Sequence, residues 1–310
     1  MSGEFAWVVP VILSVISAST PLLLAATGEL VTEKSGVLNL GVEGMMLAGA
    51  IVGFATAVTT GSALLGIAAA ALAGAALAIV FGVLTLTLLA NQVAAGLALT
   101  IFGVGFSALM GAGYVGIALE PLPKLHLPLI SDIPIVGPLL FGQDLLVYAS
   151  FALLFGVSWF LYRTHAGLIL RSIGDSHDAA HAIGYPVIGI RYAAVAFGGA
   201  MCGLAGAYMS LAYTPSWAEN MTAGRGWIAL ALVVFATWRP ARLLLGAYLF
   251  GGITILQLHV QGLGLAIPSQ FLTMLPYLAT ILVLVLISRD RTRIRLNAPA
   301  CLGKPFYAAG

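Results

Sequence analysis

The sequence predicts an all-α fold, a polytopic bundle of transmembrane helices. Of its 310 residues, 61% are hydrophobic and 8% are charged, and the mean hydropathy is +1.06. A soluble domain has about 25% charged residues. The run from Gly44 to Leu119 carries no charge, which leaves room for about three spans of about 20 residues each. Alternating β-barrel segments are lacking, so the spans are predicted to be helices.

The apolar runs predict about nine spans, one more or one fewer. In chain order they cover residues 5–26, 37–58, 63–89, 93–111, 145–162, 192–213, a short seventh element at 226–238, then 243–259 and 270–288. The seventh element is too short to cross alone, so it must begin earlier, near Glu219, or be discontinuous. Residues 1–288 form the predicted transmembrane domain, and residues 289–310 form a basic tail.

The basic residues predict which side of the membrane each end occupies. Most of them fall in the loop 163–191, in the turn that holds Arg239 and Arg242, and in the tail. Two spans separate neighbouring groups, so all three lie on one side, which the excess of Arg and Lys assigns to the cytoplasm. The C-terminus is then cytoplasmic, and the N-terminus and the proline-rich loop 113–143 lie outside. The formal net charge of +2 is too small and too scattered to suggest nucleic acid.

Two further patterns predict how the helices pack. Gly49 with Gly53, and Gly199 with Gly203, have the four-residue spacing that lets helix backbones approach closely. Tryptophans near predicted span ends are typical of the aromatic belts at membrane interfaces. They are Trp159, Trp217, Trp227 and Trp238.

Polar residues between the first two spans mark a candidate functional stretch. Residues 28–50 read GELVTEKSGVLNLGVEGMMLAGA and place Glu29, Glu33, Lys34, Asn39 and Glu43 between apolar runs. Ionisable groups near a bilayer centre cost about 3 kcal/mol each and suggest function. The four glycines of this stretch predict a broken helix whose free backbone groups line a polar cavity. For the first three residues, an ordinary cytoplasmic turn with mutual pairing is an equal alternative.

The cytoplasmic loop contains a second pattern, RSIGDSHDAAHAIGYPVIGIR, at residues 171–191. It predicts a short helix capped by Asp175 or Ser176, with small alanines on a smooth docking face. His177 and His181 share a helical face, but with Asp178 they lack a third strong ligand, so no metal site is predicted. The chain also lacks a GxxxxGK[ST] phosphate loop and a nucleophile–base set, so it is not expected to be an enzyme.

Three stretches together resemble the permease subunits of bacterial ABC importers of the ribose, nucleoside and branched-chain amino acid group. They are residues 28–50, residues 171–191 and residues 221–252, MTAGRGWIALALVVFATWRPARLLLGAYLFGG. The first and third look most like the nucleoside and simple-sugar branch. The resemblance implies that residues 163–191 form the cytoplasmic coupling loop, with Ser176 standing where the family usually has asparagine. The coupling residues that it implies are Arg171, Gly174, Asp175, Ala179, Ala180 and Gly184.

The resemblance also implies the assembly. The chain would sit in the bacterial plasma (inner) membrane with a homologous permease as a heterodimer, surrounded by membrane lipid. Cytoplasmic ATP-binding subunits would use ATP and Mg, and an extracytoplasmic binding protein or lipoprotein would deliver the substrate. No cofactor is expected on this chain itself.

For a nucleoside or sugar, we hypothesise that Asn39, Gly41, Glu43 and Gly44 lie along the substrate path. An amide and a carboxylate can hydrogen-bond hydroxyls and ring nitrogens. On a continuous helical turn Asn39 and Glu43 would share a face. The alternative is structural, with Glu43 paired to a neighbouring helix or to Lys34. Arg225 either extends to the outer interface or contacts substrate.

A different class of transporter is also compatible with these residues. The acidic residues Glu29, Glu33 and Glu43 could form an ion relay in a stand-alone secondary transporter or channel. The coupling-loop pattern favours the ATP-driven importer.

Overall fold

The structure, a computed structural model, describes residues 8–125, 136–262, 270–271, 274–275, 278–279, 281–282, 285 and 297–307. Over these residues the chain is helical. Its α-helices are α1 (Val8–Lys34), α2 (Val42–Thr60), α3 (Ala63–Gly82), α4 (Gln92–Gly111), α5 (Val136–Phe141), α6 (Leu145–Arg163), α7 (His165–Asp175), α8 (His177–Ala182), α9 (Val187–Tyr208), α10 (Arg225–Phe235) and α11 (Pro240–Gly262). Within the described ranges, seven helical segments are long and apolar enough to cross a membrane.

The predicted span positions hold closely where an uncharged run is bounded by polar residues. The helices α4, α6 and α11 match the predicted spans to within a few residues. Two helices are longer than predicted, because α1 continues to Lys34 and α9 begins at Val187, inside the predicted loop. The seventh element is the short helix α10, which is consistent with a discontinuous element. The predicted ninth span at residues 270–288 lies largely outside the described residues.

Side chains at several helix starts satisfy backbone N–H groups that would otherwise have no partner. The capping residues are Ser62 for α3, Asn91 for α4, Asp144 for α6, Thr164 for α7 and Ser176 for α8. The predicted cap of the short loop helix is therefore Ser176.

Glycine contacts hold the centre of the bundle, where α9 packs against α1, α2 and α3. A Cβ added to Gly49 would lie 2.5 Å from the Cα of Gly203, and one added to Gly74 would lie 2.1 Å from the carbonyl oxygen of Gly199. Such distances leave no space for a side chain, so the helix backbones are in direct contact. The predicted small-residue contacts are confirmed.

The tryptophan prediction is wrong for two of the four residues. Trp159 is exposed on α6, as expected for a lipid-facing residue. Trp217 and Trp238 are buried instead, and Trp217 packs against Gly111 at the end of α4. The Trp238 N–H bonds to Glu33 in the protein interior, which a position near a span end does not reveal.

Candidate functional site

The first part of the site is a break in the chain between α1 and α2. Glu29, Glu33 and Lys34 lie in the last turns of α1, so the alternative of an ordinary turn is wrong for them. Residues 35–41 leave the helical conformation, with Gly36 at a φ of +87°. That backbone region strongly favours glycine. The predicted broken helix is present, and the break begins at Ser35.

Side chains from three segments satisfy the backbone of this break. The amides of Leu38 and Gly41 donate to Gln92 Oε1 and Asn39 Oδ1, at 2.8 and 2.9 Å. Further bonds run from Asn39 N to Glu29 Oε1 (3.2 Å) and from Thr100 Oγ1 to Leu40 O (2.9 Å). Because a buried, unpaired backbone group is costly, these side chains allow a non-helical segment to lie inside the bundle.

Glu43 joins the start of α2 to the start of α10. It lies in the first turn of α2 and is buried. Its Oε1 accepts hydrogen bonds from Thr222 Oγ1 (2.5 Å) and Gly224 N (2.9 Å), and its Oε2 accepts from Gly226 N (2.6 Å). The N-terminal ends of helices favour negative charge. One carboxylate therefore holds the N-termini of two helices together in the bundle.

Glu33 secures the other end of α10. Its Oε2 accepts a hydrogen bond from Trp238 Nε1 at 2.5 Å. Thr237 and Trp238 both have positive φ, 49° and 53°, in the sharp turn from α10 to α11. The unusual backbone of this turn directs the indole toward α1. Lys34, next to Glu33, donates to the carbonyl of Asn297 at 2.7 Å instead of pairing with Glu43.

The four predicted path residues, Asn39, Gly41, Glu43 and Gly44, lie together at the start of α2. Asn39 precedes α2, so Asn39 and Glu43 do not share a helical face. Gly41 stands just before the helix, and Gly44 packs against the backbone of α4 at Leu99. All four are buried, and the bonds of Asn39 and Glu43 go to backbone and side-chain groups of the protein.

Arg225, the first residue of α10, turns away from this carboxylate. Its Nη1 donates to the carbonyls of Met221 and Thr222, at 3.3 and 3.4 Å. Its guanidinium carbon lies 5.5 Å from the centre of the Tyr213 ring, at the end of the π-helical turn that follows α9. Arg225 therefore extends toward that end of α9, and its role at the outer interface or at the substrate stays a prediction.

The predicted coupling residues divide into buried and exposed groups. Gly174 packs against the carbonyl of Lys34, where an added Cβ would lie 2.2 Å from the oxygen, and Ala180 is buried. Asp175, Ala179 and Gly184 are exposed, and Gly184 has a φ of +93°. The guanidinium of Arg171 stacks over the ring of Tyr162 at 5.1 Å.

A buried arginine links the short helix α8 to the break. Arg191 Nε donates to the carbonyl of Ser35 at 3.1 Å, and its Nη2 donates to His177 Nδ1 at 3.1 Å. Burial, and next the positive charge of Arg191, lower the pKa of His177 below its ordinary value. A neutral ring is the form that can accept this hydrogen bond. Arg191 thus connects α8 to Ser35, the first residue of the break.

The end of the chain packs across the same region. Cys301 N donates to the carbonyl of Gly174 at 2.8 Å, and Gly303 N donates to the carbonyl of Gly36 at 3.1 Å. The ring of Phe306 makes edge contacts with His177 and His181, at 5.2 and 5.3 Å between ring centres. Residues 297–307 of the predicted tail are therefore part of the packed structure.

Sequence reasoning missed most of the hydrogen-bonding partners of the glutamates. In the sequence, Thr222 and the glycines after it are visible only as part of the MTAGRG pattern, and the position of Trp238 predicts an aromatic belt. Gln92 falls in the gap between the predicted spans 63–89 and 93–111. The available signal was a set of polar or glycine residues at the ends of short or interrupted apolar runs. Among the described residues, no group of three His, Cys, Asp or Glu side chains could hold a metal ion.

Comparison with known proteins supplies the family. The model of the family described as "Branched-chain amino acid transport system / permease component" matches residues 11–287. A Haloferax volcanii protein named "Putative glucose ABC transporter permease protein" is 40% identical, over 93% of this chain and 94% of its own length. No solved structure matches the chain.

Two further relatives extend the match to proteins with nucleoside names. A nucleoside ABC transporter permease protein of Lactococcus lactis is 31% identical, over 89% of this chain and 91% of its own length. A guanosine ABC transporter permease protein of Bacillus subtilis is 32% identical, over 95% and 97%. With the family model covering nearly all of the bundle, the chain belongs to this permease family and is a permease subunit of an ABC importer.

Proposed function

We propose that this chain forms the translocation path for a nucleoside or a simple sugar. The observation that carries the substrate class is that the relatives matching nearly the full chain are named for glucose, nucleosides and guanosine. These substrates share hydroxyl-rich sugar rings without net charge. A path for them needs hydrogen-bonding groups inside the bundle but no strong counter-ion.

The path runs beside the junction of α2 and α10. Many transporters place their substrate sites where discontinuous helices end inside the membrane, because free backbone groups are available there. Here Glu43 joins α2 to α10, and Asn39, Gly41 and Gly44 lie beside it at the start of α2. Since Glu43 bonds three donors of the protein itself, its part is to hold the path's walls, and its carboxylate does not contact the substrate.

ATP and Mg are used by separate ATPase subunits that dock on α7 and α8. The exposed residues Ala179 and Gly184 contact the ATPase, while the buried Gly174 and Ala180 fix the position of α8. Motion of α8 reaches the break between α1 and α2 through His177, Arg191 and Ser35. Arg171 and Asp175 orient this region from α7.

The complete importer contains more than this chain. It comprises two homologous permeases as a heterodimer, two ATPase subunits and an extracytoplasmic binding protein or lipoprotein, in the plasma membrane and surrounded by lipid. The basic end of the bundle, with Lys34, Arg171 and Arg239, faces the cytoplasm, and the N-terminus lies outside.

Reconstitution tests the transport activity. Vesicles holding the purified complex and its binding protein should accumulate labelled guanosine, adenosine, glucose or ribose when ATP is present on the cytoplasmic side. Collapse of the proton gradient should leave the rate unchanged. Uptake by this chain alone, driven by a proton or sodium gradient, would establish the secondary transporter instead. The separate hydrogen-bond partners of Glu29, Glu33 and Glu43 favour the importer.

Charging the docking face tests the coupling role. Ala179→Glu places a carboxylate on an exposed position of α8, so it should release the ATPase subunits while the permease remains folded in the membrane. Ala118→Glu, at an exposed position of the external segment, is the matched control and should leave ATPase binding intact. A complex that keeps its ATPase subunits and its transport rate with Ala179→Glu would exclude docking at this face.

A further inference from the structure

A small apolar pocket lies beside α8 on the predicted cytoplasmic side. It has a volume of about 280 Å³ and opens to the surface. Most of its wall comes from the turn between α8 and α9 and the first turn of α9, and one wall comes from the end of the chain. Its lining residues are His181, Gly184, Tyr185, Pro186, Val187, Ile188, Gly189 and Phe306.

The surface beside the pocket includes exposed apolar residues as well as the exposed Asp178 and His181 of α8. Ile183 is 72% exposed, and Ala179 and Ala182 are exposed on the same short helix and turn. The exposed apolar residues of α3 and α4 have a different explanation, because those helices span the membrane. An apolar patch with a pocket, on a predicted cytoplasmic surface, is typical of a protein–protein contact.

We propose that this pocket receives an apolar side chain of the ATPase subunit, so the C-terminal segment 297–307 belongs to the docking surface together with α8. The proposal rests on the function proposed above, in which residues 171–191 dock the ATPase. The pocket is continuous with that surface through His181 and Gly184, which line the pocket and belong to residues 171–191. Its volume of about 280 Å³ is large enough for one apolar side chain, and an apolar side chain held in a pocket is a common interface anchor.

Phe306 can form a wall of the pocket because the C-terminal segment is fixed in place. Cys301 and Gly303 bond to the backbone of Gly174 and Gly36. Phe306 is itself buried among Ile173, Ala180 and Val187. The pocket is therefore preformed, and binding would not require ordering of this segment, which lowers the cost of association.

Filling the pocket tests the proposal. Gly189 lines the pocket, and a Cβ added to it meets no atom within 4 Å, so Gly189→Leu adds an apolar side chain at the pocket wall without a clash, while Gly189→Ala is the matched control with a minimal side chain. The experiment uses the purified complex and the ATPase subunit that copurifies with it, identified by mass spectrometry. We expect Gly189→Leu to weaken ATPase binding by about tenfold, as for loss of one interface anchor, and Gly189→Ala to change it by less than about twofold.

Removing the Phe306 side chain from the pocket wall is an independent test of the proposal. Phe306→Ala opens the pocket to water and should weaken binding, whereas Phe306→Leu keeps an apolar wall and should restore most of it. Binding is measured on the monodisperse fraction, so a lower yield of a variant does not decide the outcome. Parental binding by both Gly189→Leu and Phe306→Ala overturns the proposal, whatever else occupies the pocket.

The Ala179→Glu variant separates this proposal from the function on which it rests. If Ala179→Glu releases the ATPase and the two pocket variants bind it normally, docking on α8 stands and the pocket has no part in it. If none of the three changes affects binding, both proposals fail. A loss with Gly189→Leu and Phe306→Ala, but not with their controls, supports the pocket.

Discussion

Acidic residues near the helix breaks are buried, whereas the acidic residue of α8 is exposed. At the helix breaks, Glu29, Glu33 and Glu43 are buried, and each accepts a hydrogen bond from a separate segment of the chain. On α8, the side chain of Asp178 is 83% exposed and lies 3.6 Å from the ring of His177. Water can solvate the second kind of carboxylate, but only the protein can satisfy the first.

The difference teaches that the buried carboxyl groups of Glu33 and Glu43 hold separate segments of this bundle together. A broken helix inside a membrane leaves backbone N–H groups without partners, and a carboxylate can accept from several of them at once. The glutamates that suggest an ion relay in the sequence are placed where the chain interrupts a helix. The exposed residues of α8 need no such compensation, because water solvates them.

Removing Glu43 should give the largest effect. Glu43→Ala leaves Thr222, Gly224 and Gly226 without their acceptor, and hydrogen bonds to charged groups are worth about 1.5–3 kcal/mol each. We expect the free energy of unfolding to fall by at least about 3 kcal/mol. The measurements are the melting temperature in detergent and the yield of monodisperse protein.

Two further variants sharpen the contrast with the surface. Glu43→Gln keeps one acceptor oxygen and should lie between the parent and Glu43→Ala. Asp178→Ala, at the exposed carboxylate, should change the stability of the isolated permease by no more than about 0.5 kcal/mol. Equal melting temperatures for Glu43→Ala and Asp178→Ala would remove the distinction between the two regions.

A smaller loss is expected at the turn between α10 and α11. Trp238→Phe keeps the aromatic ring but removes the N–H that Glu33 accepts, which should lower stability by about 1–3 kcal/mol. Trp159→Phe, on the exposed face of α6, is the matched control and should stay within about 0.5 kcal/mol. Because the effect belongs to the pair, Glu33→Gln combined with Trp238→Phe should cost less than the sum of the two single changes. Strict additivity would show that the bond contributes nothing.

Much of the fold follows from the sequence, but the partners of the buried charges do not. The uncharged runs place α4, α6 and α11, and the Gly-Asp-Ser start places the cap of α8 at Ser176. The end of α1 was misplaced because Glu29 and Glu33 interrupt the apolar pattern that defines a span. Their partners Asn39 and Trp238 become neighbours only through tertiary packing, and no local periodicity indicates such pairs.

The smallest expected effect is a pH dependence of the melting temperature that arises from His177 of α8. Because burial and Arg191 lower the pKa of His177 from its ordinary value of 6.5, the folded protein binds this proton less readily than the unfolded chain. Stability from this group is complete above the ordinary pKa of 6.5 and is lost as the pH falls from that value through the lowered pKa of the folded protein. Arg191 and Lys304 oppose protonation and Asp178 favours it. The melting temperature should therefore fall between about pH 8 and about pH 5.5.

His177→Gln can still accept a hydrogen bond from Arg191 but stays neutral, so it should flatten this part of the pH profile. His181→Gln should leave the profile unchanged. An unchanged profile in His177→Gln would assign the pH response to other groups, and α8 would then have to be held independently of the His177–Arg191 bond.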